Sequence, residues 1–383
     1  MSKRIFAEFD GEKREIALVE DGKLLWYAAD SGGAVQAEQI YLGRVDRIMK
    51  GMEAAFVLLS KTVSGFLPFS ECIETPVSGK RVLVQVKKPP IGEKKCYLTQ
   101  NISLAGRCAV LTPCAEKCAV SHKITDEDEH KRLYQMAMQC KPPKMGLVLR
   151  TESVSVTEAE LRQEVSALMD KWQNVLALSA KGEIGLIQER EDALNCLLRD
   201  EHGQIEEIVT NRPEALPAVQ LPVRFSENVF ALENVRNKLR KGWQRKVWLD
   251  CGGFLVIDRT EALTVIDVNS GKYAGEKKGT ESTFLKLNLE AAGEIARLMR
   301  LRNMGGIIMV DFVDMAAEEG REAVTEALKT ALLRDPVKCV IHGFTTLGLM
   351  ELTRKKTEAS LSPVPLCPRC GGTGLMEEEP HAE

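Results

Sequence analysis

At 383 residues the chain is too long for one ordinary domain, and with 44% hydrophobic and 28% charged side chains it can bury a sizeable core, so two to four modules are expected. The net charge of -3 decides nothing about a nucleic-acid partner, because binding follows where basic residues cluster. Charges interrupt the N-terminal stretch and no apolar run reaches about 18 residues, which excludes a usual signal peptide and a membrane span; a cytoplasmic protein whose 11 cysteines are mostly reduced thiols is expected.

Short alternating runs, Ile5 to Phe9 and Glu15 to Val19, flank Asp10-Gly11 and read as a β-hairpin. Loop residues Asp30 to Gly33 follow. Strand-like runs Ile40 to Val45, Ala54 to Val57, Gly65 to Leu67 and Val82 to Val86, with glycine corners, then suggest an OB-type barrel. Beyond Thr99, Ala109 to Leu111 and Met145 to Leu149 read as strands, and Glu127 to Cys140 and Glu158 to Leu178 as helices. Leu161, Val165, Leu168 and Trp172 recur at helical spacing and are assigned to the core. A helix and a short strand, Gln204 to Val209, precede Pro213, Pro217 and Pro222, which mark a connection. Arg236, Lys238, Arg240, Lys241, Arg245 and Lys246 form either a solvated helix face or a phosphate-facing helix beside an active site, and the two readings stand level.

The most informative stretch is Phe254 to Met315. Two apolar strands, Phe254 to Ile257 and Leu263 to Ile266, form a hairpin around Asp258 to Glu261, and the second ends in Asp267. A glycine- and lysine-rich loop leads to an amphipathic helix with Leu285, Leu289, Ala292, Ala296 and Met299 on its buried face and Glu290, Glu294 and Arg297 outside. Gly305-Gly306 is expected to end it before Ile307 to Val310, a buried strand ending in Asp311. Strand, helix and strand of this length imply a crossover between parallel neighbours, so Asp267 and Asp311 emerge side by side on one sheet edge. A single Asp after a strand is an ordinary turn starter. A pair of close carboxylates, with Asn269 facing the same way, points instead to a hard cation such as Mg2+, which can polarise a phosphodiester and orient water.

The segments ALTVIDVNSGKY, LNLEAAGEIARLMRLRNMGGIIMVDFVDM and LCPRCGGTG, with YLGRVDRI, EAAFV and SGFLPFSE nearer the front, resemble the ribonuclease E/G family in order across nearly the whole chain. The resemblance implies metal-binding aspartates at Asp267 and Asp311 and an asparagine at Asn269 that helps position the scissile phosphate. It implies RNA contacts at Phe56, Phe66 and Lys94 of an S1-type barrel; Tyr41, the third aromatic candidate there, reads as core. It likewise implies a 5′-monophosphate pocket around Gly106, Val110, Arg150 and Thr151, with His122 or Lys123 where a second arginine is expected. Asn303 and Leu287 depart from the family's Asp and Thr, at positions that bear on packing or RNA contacts rather than on the metal.

Cys367 and Cys370 have the spacing of a zinc half-site, but a structural zinc takes four ligands. Two chains sharing Zn2+ across a two-fold axis complete the set, as the family's zinc link does, so a homodimer is expected; a redox pair is the other reading of the two thiols. The resulting architecture is a multi-subdomain α/β protein. Residues 1–36 and 181–242 form a ribonuclease H-like support, 37–98 an S1-type OB barrel and 99–180 the 5′-sensor region. Residues 243–362 form a deoxyribonuclease I-like catalytic subdomain, 363–374 the zinc link and 375–383 an acidic tail. The expected activity is magnesium-dependent hydrolysis of single-stranded, A/U-rich RNA to 5′-phosphate and 3′-hydroxyl ends, in ribosomal RNA processing and messenger RNA decay. The competing readings are a non-catalytic RNA-binding scaffold of the same fold and a zinc-dependent adaptor that accounts only for the tail.

Overall fold

In a computed structural model, which describes residues 2–11, 13–30, 35–90, 94–201, 205–217, 219–271 and 281–356, the chain is organised around four sheets. The first runs in the order β15 (Val223–Phe225), β14 (Ile205–Thr210), β1 (Lys3–Asp10), β2 (Lys13–Glu20), β3 (Lys23–Asp30). The expected hairpin is β1 and β2, and β1 also pairs in parallel with β14. Alternation gives the sheet two apolar faces. Ile5, Ala7, Ile16 and Leu18 pack on Leu194 and Leu197 of α3 (Ala193–Asp200), whereas Phe6, Ala17, Val19 and Leu24 enter the core shared with the fourth sheet.

The second sheet is a closed five-stranded barrel: β4 (Ile40–Met49), β5 (Ala54–Leu58), β6 (Ser64–Pro68), β8 (Cys96–Thr99) and β7 (Arg81–Lys88), with β4 pairing to both β5 and β7. Tyr41, Val57, Leu67, Val84 and Leu98 fill it. Closure depends on Gly43 and Gly65, where a Cβ would stand 2.4 Å from Val57 and 2.5 Å from Leu98. An additional strand, β13 (Gly185–Gln188), lies against β4.

The third sheet, β11 (Cys118–Val120), β12 (Gly146–Leu149), β10 (Ala109–Thr112) and β9 (Leu104–Ala105), is covered by α1 (Glu127–Cys140) and α2 (Glu158–Ala180). A capping box between Thr157 and Glu160 starts α2, and Leu161, Val165, Leu168 and Trp172 are buried along it as their spacing predicts.

The fourth sheet has the order β16 (Lys246–Trp248), β17 (Phe254–Arg259), β18 (Leu263–Asn269), β19 (Gly306–Asp311), β21 (Met350–Arg354), β20 (Cys339–Phe344). Ile266, Val268, Ile308, Val310 and Leu352 share one core with α4 (Val235–Gly242), α5 (Glu281–Leu301) and α6 (Glu318–Leu332). Two expectations for α5 are corrected. Leu285 and Leu289 are only partly buried, while Leu287, Ala291, Ile295 and Leu298 are fully buried, because α5 also packs against β3 of the first sheet. Glu290, Glu294 and Arg297 are accordingly not free: Glu290 accepts the Cys251 N–H, and Arg297 pairs with Glu294 and donates to the Leu24 carbonyl. Nor does Gly305-Gly306 terminate the helix. Asn303, at φ 47°, takes the left-handed turn that asparagine tolerates, and its Oδ1 accepts from Arg354 at 2.7 Å. Leu287 belongs to the core, lying under Gly253.

Candidate active site and nucleic-acid face

β18 and β19 are parallel, and Asp267 stands directly opposite Asp311 in their register. The two residues therefore share the face of the sheet away from α5, and both are exposed. The Asn269 amide donates to Asp267 Oδ2 at 2.7 Å, which fixes that carboxylate from two residues along the same strand. Burial, then the charges of Asp267 and Asp314, push the Asp311 carboxyl above its usual range. Behind the pair, buried Asn288 on α5 donates to the Val313 carbonyl at 2.7 Å and accepts the Val313 N–H at 3.1 Å, clamping the segment just after Asp311. Sequence reasoning missed Asn288, whose only signal is a polar side chain on an otherwise apolar helix stripe. The donor set is two adjacent carboxylates open to solvent, the chemistry of a magnesium site that keeps its waters. No group of three or more His, Cys, Asp or Glu side chains able to hold a metal occurs among the described residues.

Three of the six basic residues between 234 and 246 are held in ion pairs, while Arg240 and Lys241 lie exposed on α4 and enter none among the described residues. The Arg236 guanidinium is bound to Glu15 at 2.7 and 2.9 Å and to Glu8 at 2.6 Å, Lys238 to Glu233 at 2.6 Å, and Arg245 to Asp258 at 2.5 and 2.7 Å. Those charges fasten α4 and its neighbourhood to the rest of the protein. Lys246 lies on β16 instead, over the rings of Trp248 and Phe254.

On the barrel, Tyr41 is buried, in agreement with its assignment to the core, and its hydroxyl donates to Gln39 at 3.0 Å. Phe56 and Phe66 are cross-strand partners on the outer surface, ring centroids 5.9 Å apart at 61°. Phe66 pairs in turn with Tyr97 on β8, 6.1 Å away, an aromatic that sequence reasoning passed over. Irregularities in β4 and β7 bring Arg47 opposite Phe56 and Lys88 opposite Tyr97, so a row of three rings is flanked by a cation at each end. Lys95 lies 4.9 Å above the Phe56 ring, while Lys94 is exposed two residues before β8.

Around the expected phosphate pocket, Arg150 donates through Nη1 to the Gly106 carbonyl at 2.9 Å, which brings these two residues together. Its other arm is paired with Asp200 at 2.7 Å, so an acidic group already sits on the fork. The Thr151 hydroxyl is 3.4 Å from that of Ser121, and Val110 lies half-exposed on the adjoining strand between Ala105 and Val148. Gly106 leaves room for Glu164, whose carboxylate would be 2.1 Å from an added Cβ. Lys123 donates to the Leu333 and Asp335 carbonyls at 3.3 and 2.5 Å and lies close enough to Arg150 to feel its charge. Cys367 and Cys370 lie outside the described residues.

Residues 103–357 match the family model described as Ribonuclease E/G family. The chain is 34% identical over 376 aligned positions to ribonuclease G of Escherichia coli strain K12, covering 88% of this chain and 77% of that protein. Ribonuclease E of Synechocystis sp. strain PCC 6803 is 34% identical over 403 positions, covering 96% of this chain and 60% of that protein. Ribonuclease G of Haemophilus influenzae is 33% identical over 410 positions, covering 94% and 82%.

Proposed function

Given that the chain belongs to the ribonuclease E/G family and is an endoribonuclease, we propose that it hydrolyses single-stranded, A/U-rich RNA to 5′-phosphate and 3′-hydroxyl ends with Mg2+ held between Asp267 and Asp311. The observation that carries this reading is the direct pairing of the two aspartates across parallel strands, with Asn269 bound to the first. Magnesium bound there would supply a Lewis acid for the scissile phosphate and an oriented water. The chain's own residues provide the geometry. Asn269 holds the Asp267 carboxylate, and Asn288 holds the backbone beyond Asp311. The row Phe56, Phe66 and Tyr97 offers base-stacking surfaces, and Arg47, Lys88, Lys94 and Lys95 neutralise the backbone that threads past them. Arg150 and Thr151, with Gly106 and Val110, would receive a 5′-monophosphate, the phosphate displacing Asp200 from the Arg150 fork.

Within this reading, the order of the first sheet supports a ribonuclease H-like support built from residues 1–36 and 181–242, and residues 243–362 would be the catalytic subdomain. Cys367 and Cys370 would share Zn2+ with the same pair of a second copy, giving a homodimer. The cellular work would be ribosomal RNA processing and messenger RNA decay in the cytoplasm. Among the described residues no helix is long and apolar enough to cross a membrane.

The test is cleavage of a fluorescent, 5′-monophosphorylated, A/U-rich single-stranded oligonucleotide in magnesium or EDTA, by the wild-type chain and Asp311→Asn. Magnesium-dependent cutting that the substitution abolishes is the expected result. Tight binding without cutting by either protein would overturn it in favour of an RNA-binding scaffold.

A further inference from the structure

The catalytic sheet carries an aromatic cluster of its own that neither the barrel nor the carboxylate pair uses. Trp248, on the three-residue edge strand β16, is 55% exposed. Its ring lies 5.2 Å from that of Phe254, tilted by 59°. The Lys246 ammonium sits 4.4 Å from the Trp248 centroid and 3.6 Å from the Phe254 centroid. Lys246 forms no ion pair among the described residues, whereas its neighbour Arg245 is bound to Asp258.

The register places this cluster relative to the chemistry. Trp248 pairs with Phe254, and Phe254 pairs with Asn269. Two pairs further along, Lys246 faces Val256, Val256 faces Asp267, and Asp267 faces Asp311. Directly paired residues project to the same side of a sheet, so all of these side chains share the solvent face that holds the carboxylates. From the strand of Trp248 to the strand of Asp267 is two strand spacings, roughly 10 Å. A base belonging to a nucleotide beside the scissile bond can span that distance.

We propose that Trp248, backed by Phe254 and flanked by Lys246, is a stacking subsite for the nucleobase next to the scissile phosphate. This deepens the endoribonuclease reading and rests on it. The exposed indole provides a π-surface that accepts any base, with purines ahead of pyrimidines because their ring area is larger. The Lys246 ammonium, free of ion pairs among the described residues, meets the adjoining phosphate. The subsite makes the catalytic sheet, and not the barrel alone, a source of preference for where the strand is cut.

The experiment uses the full chain with magnesium and fluorescent single-stranded RNAs that differ only in a purine or pyrimidine flanking one cut. Rates and cut positions are compared for wild type, Trp248→Phe, Trp248→Leu and Lys246→Met, with sedimentation of each protein alongside. Trp248→Leu is expected to lower kcat/KM by roughly 5- to 150-fold and to flatten the purine preference, the equivalent of one lost stack. Trp248→Phe keeps a ring and should retain most of both. Lys246→Met should reduce the salt slope of binding by about one charge. Wild-type rates and cut positions in Trp248→Leu would overturn the subsite. So would a changed sedimentation coefficient with unchanged cutting, which would assign the face to a second copy. If the wild-type chain does not cut at all, the endoribonuclease reading fails separately. The subsite then stands or falls on whether adding the RNA quenches tryptophan fluorescence in wild type and not in Trp248→Phe.

Discussion

Asp311→Asn removes one of two like charges that face each other across β18 and β19. Strand neighbours lie about 4.8 Å apart, and unit charges at that distance repel by about 1 kcal/mol in water and several-fold more at lower effective dielectric. Both carboxylates are exposed, so the lower value applies. Burial, Asp267 and Asp314 together raise the Asp311 carboxyl. The sign follows directly. A carboxyl raised by folding contributes its stability below the unfolded-state pKa and loses it as pH rises through the folded value. At neutral pH in EDTA, the Asn variant should therefore melt above wild type, by about 1–3 °C. The difference should vanish in acid, where the wild-type carboxyl is itself protonated. Magnesium should then reverse the order, because an ion that binds only the native wild-type pair stabilises it by mass action. Thermal unfolding at low ionic strength, in EDTA and then in magnesium, reads both effects. An Asn variant that melts lower in EDTA, or that gains as much from magnesium as wild type, would refute the idea of a repelling pair that a cation relieves.

Three further predictions concern the neighbouring surfaces. Phe56→Ala and Tyr97→Leu should each weaken binding of uncut single-stranded RNA in EDTA by about 1–3 kcal/mol; fluorescence anisotropy showing wild-type affinity for both would remove the barrel as the RNA platform. Asp200→Asn frees one arm of the Arg150 fork, so the ratio of cutting rates for 5′-phosphate over 5′-hydroxyl RNA should rise, and an unchanged ratio would place 5′-end recognition elsewhere. Burial alone would raise the Glu15 carboxyl, but hydrogen bonds from Arg236, Tyr27 and Lys13 hold it at about 2. Its stabilisation is present above the unfolded value of 4.5 and lost as pH falls toward 2. Glu15→Gln should therefore cost roughly 2–3 kcal/mol at pH 7 in denaturant unfolding and progressively less below pH 4.5; a deficit independent of pH would argue against a charge-based role.

What could be read from the sequence was governed by how local the signal is. The pairing of Asp267 with Asp311 followed from a strand, helix and strand within one short stretch, because a crossover of that length admits one handedness and a parallel register. The bounds of α1 and the burial of Tyr41 were legible for the same reason. The partners of Arg236 were not. They lie more than 220 positions away on the first sheet, and only folding reveals that half of the basic run is held in ion pairs. Arg150 and Asp200, 50 positions apart, share that blindness. Tyr97 and Trp248 were missed because strands of four and three residues, set among charged neighbours, carry too little alternation to mark a face.

The alignment of β18 with β19 also bears on how the protein is made. A slip of one residue between those strands would turn Asp311 toward the core and leave Val310 or Phe312 beside Asp267. Such a molecule would keep most of its hydrogen bonds and much of its bulk, yet could not assemble the pair. On the proposed assignment of Asp267 and Asp311, a chain that has settled into a neighbouring alignment would be silent rather than sluggish.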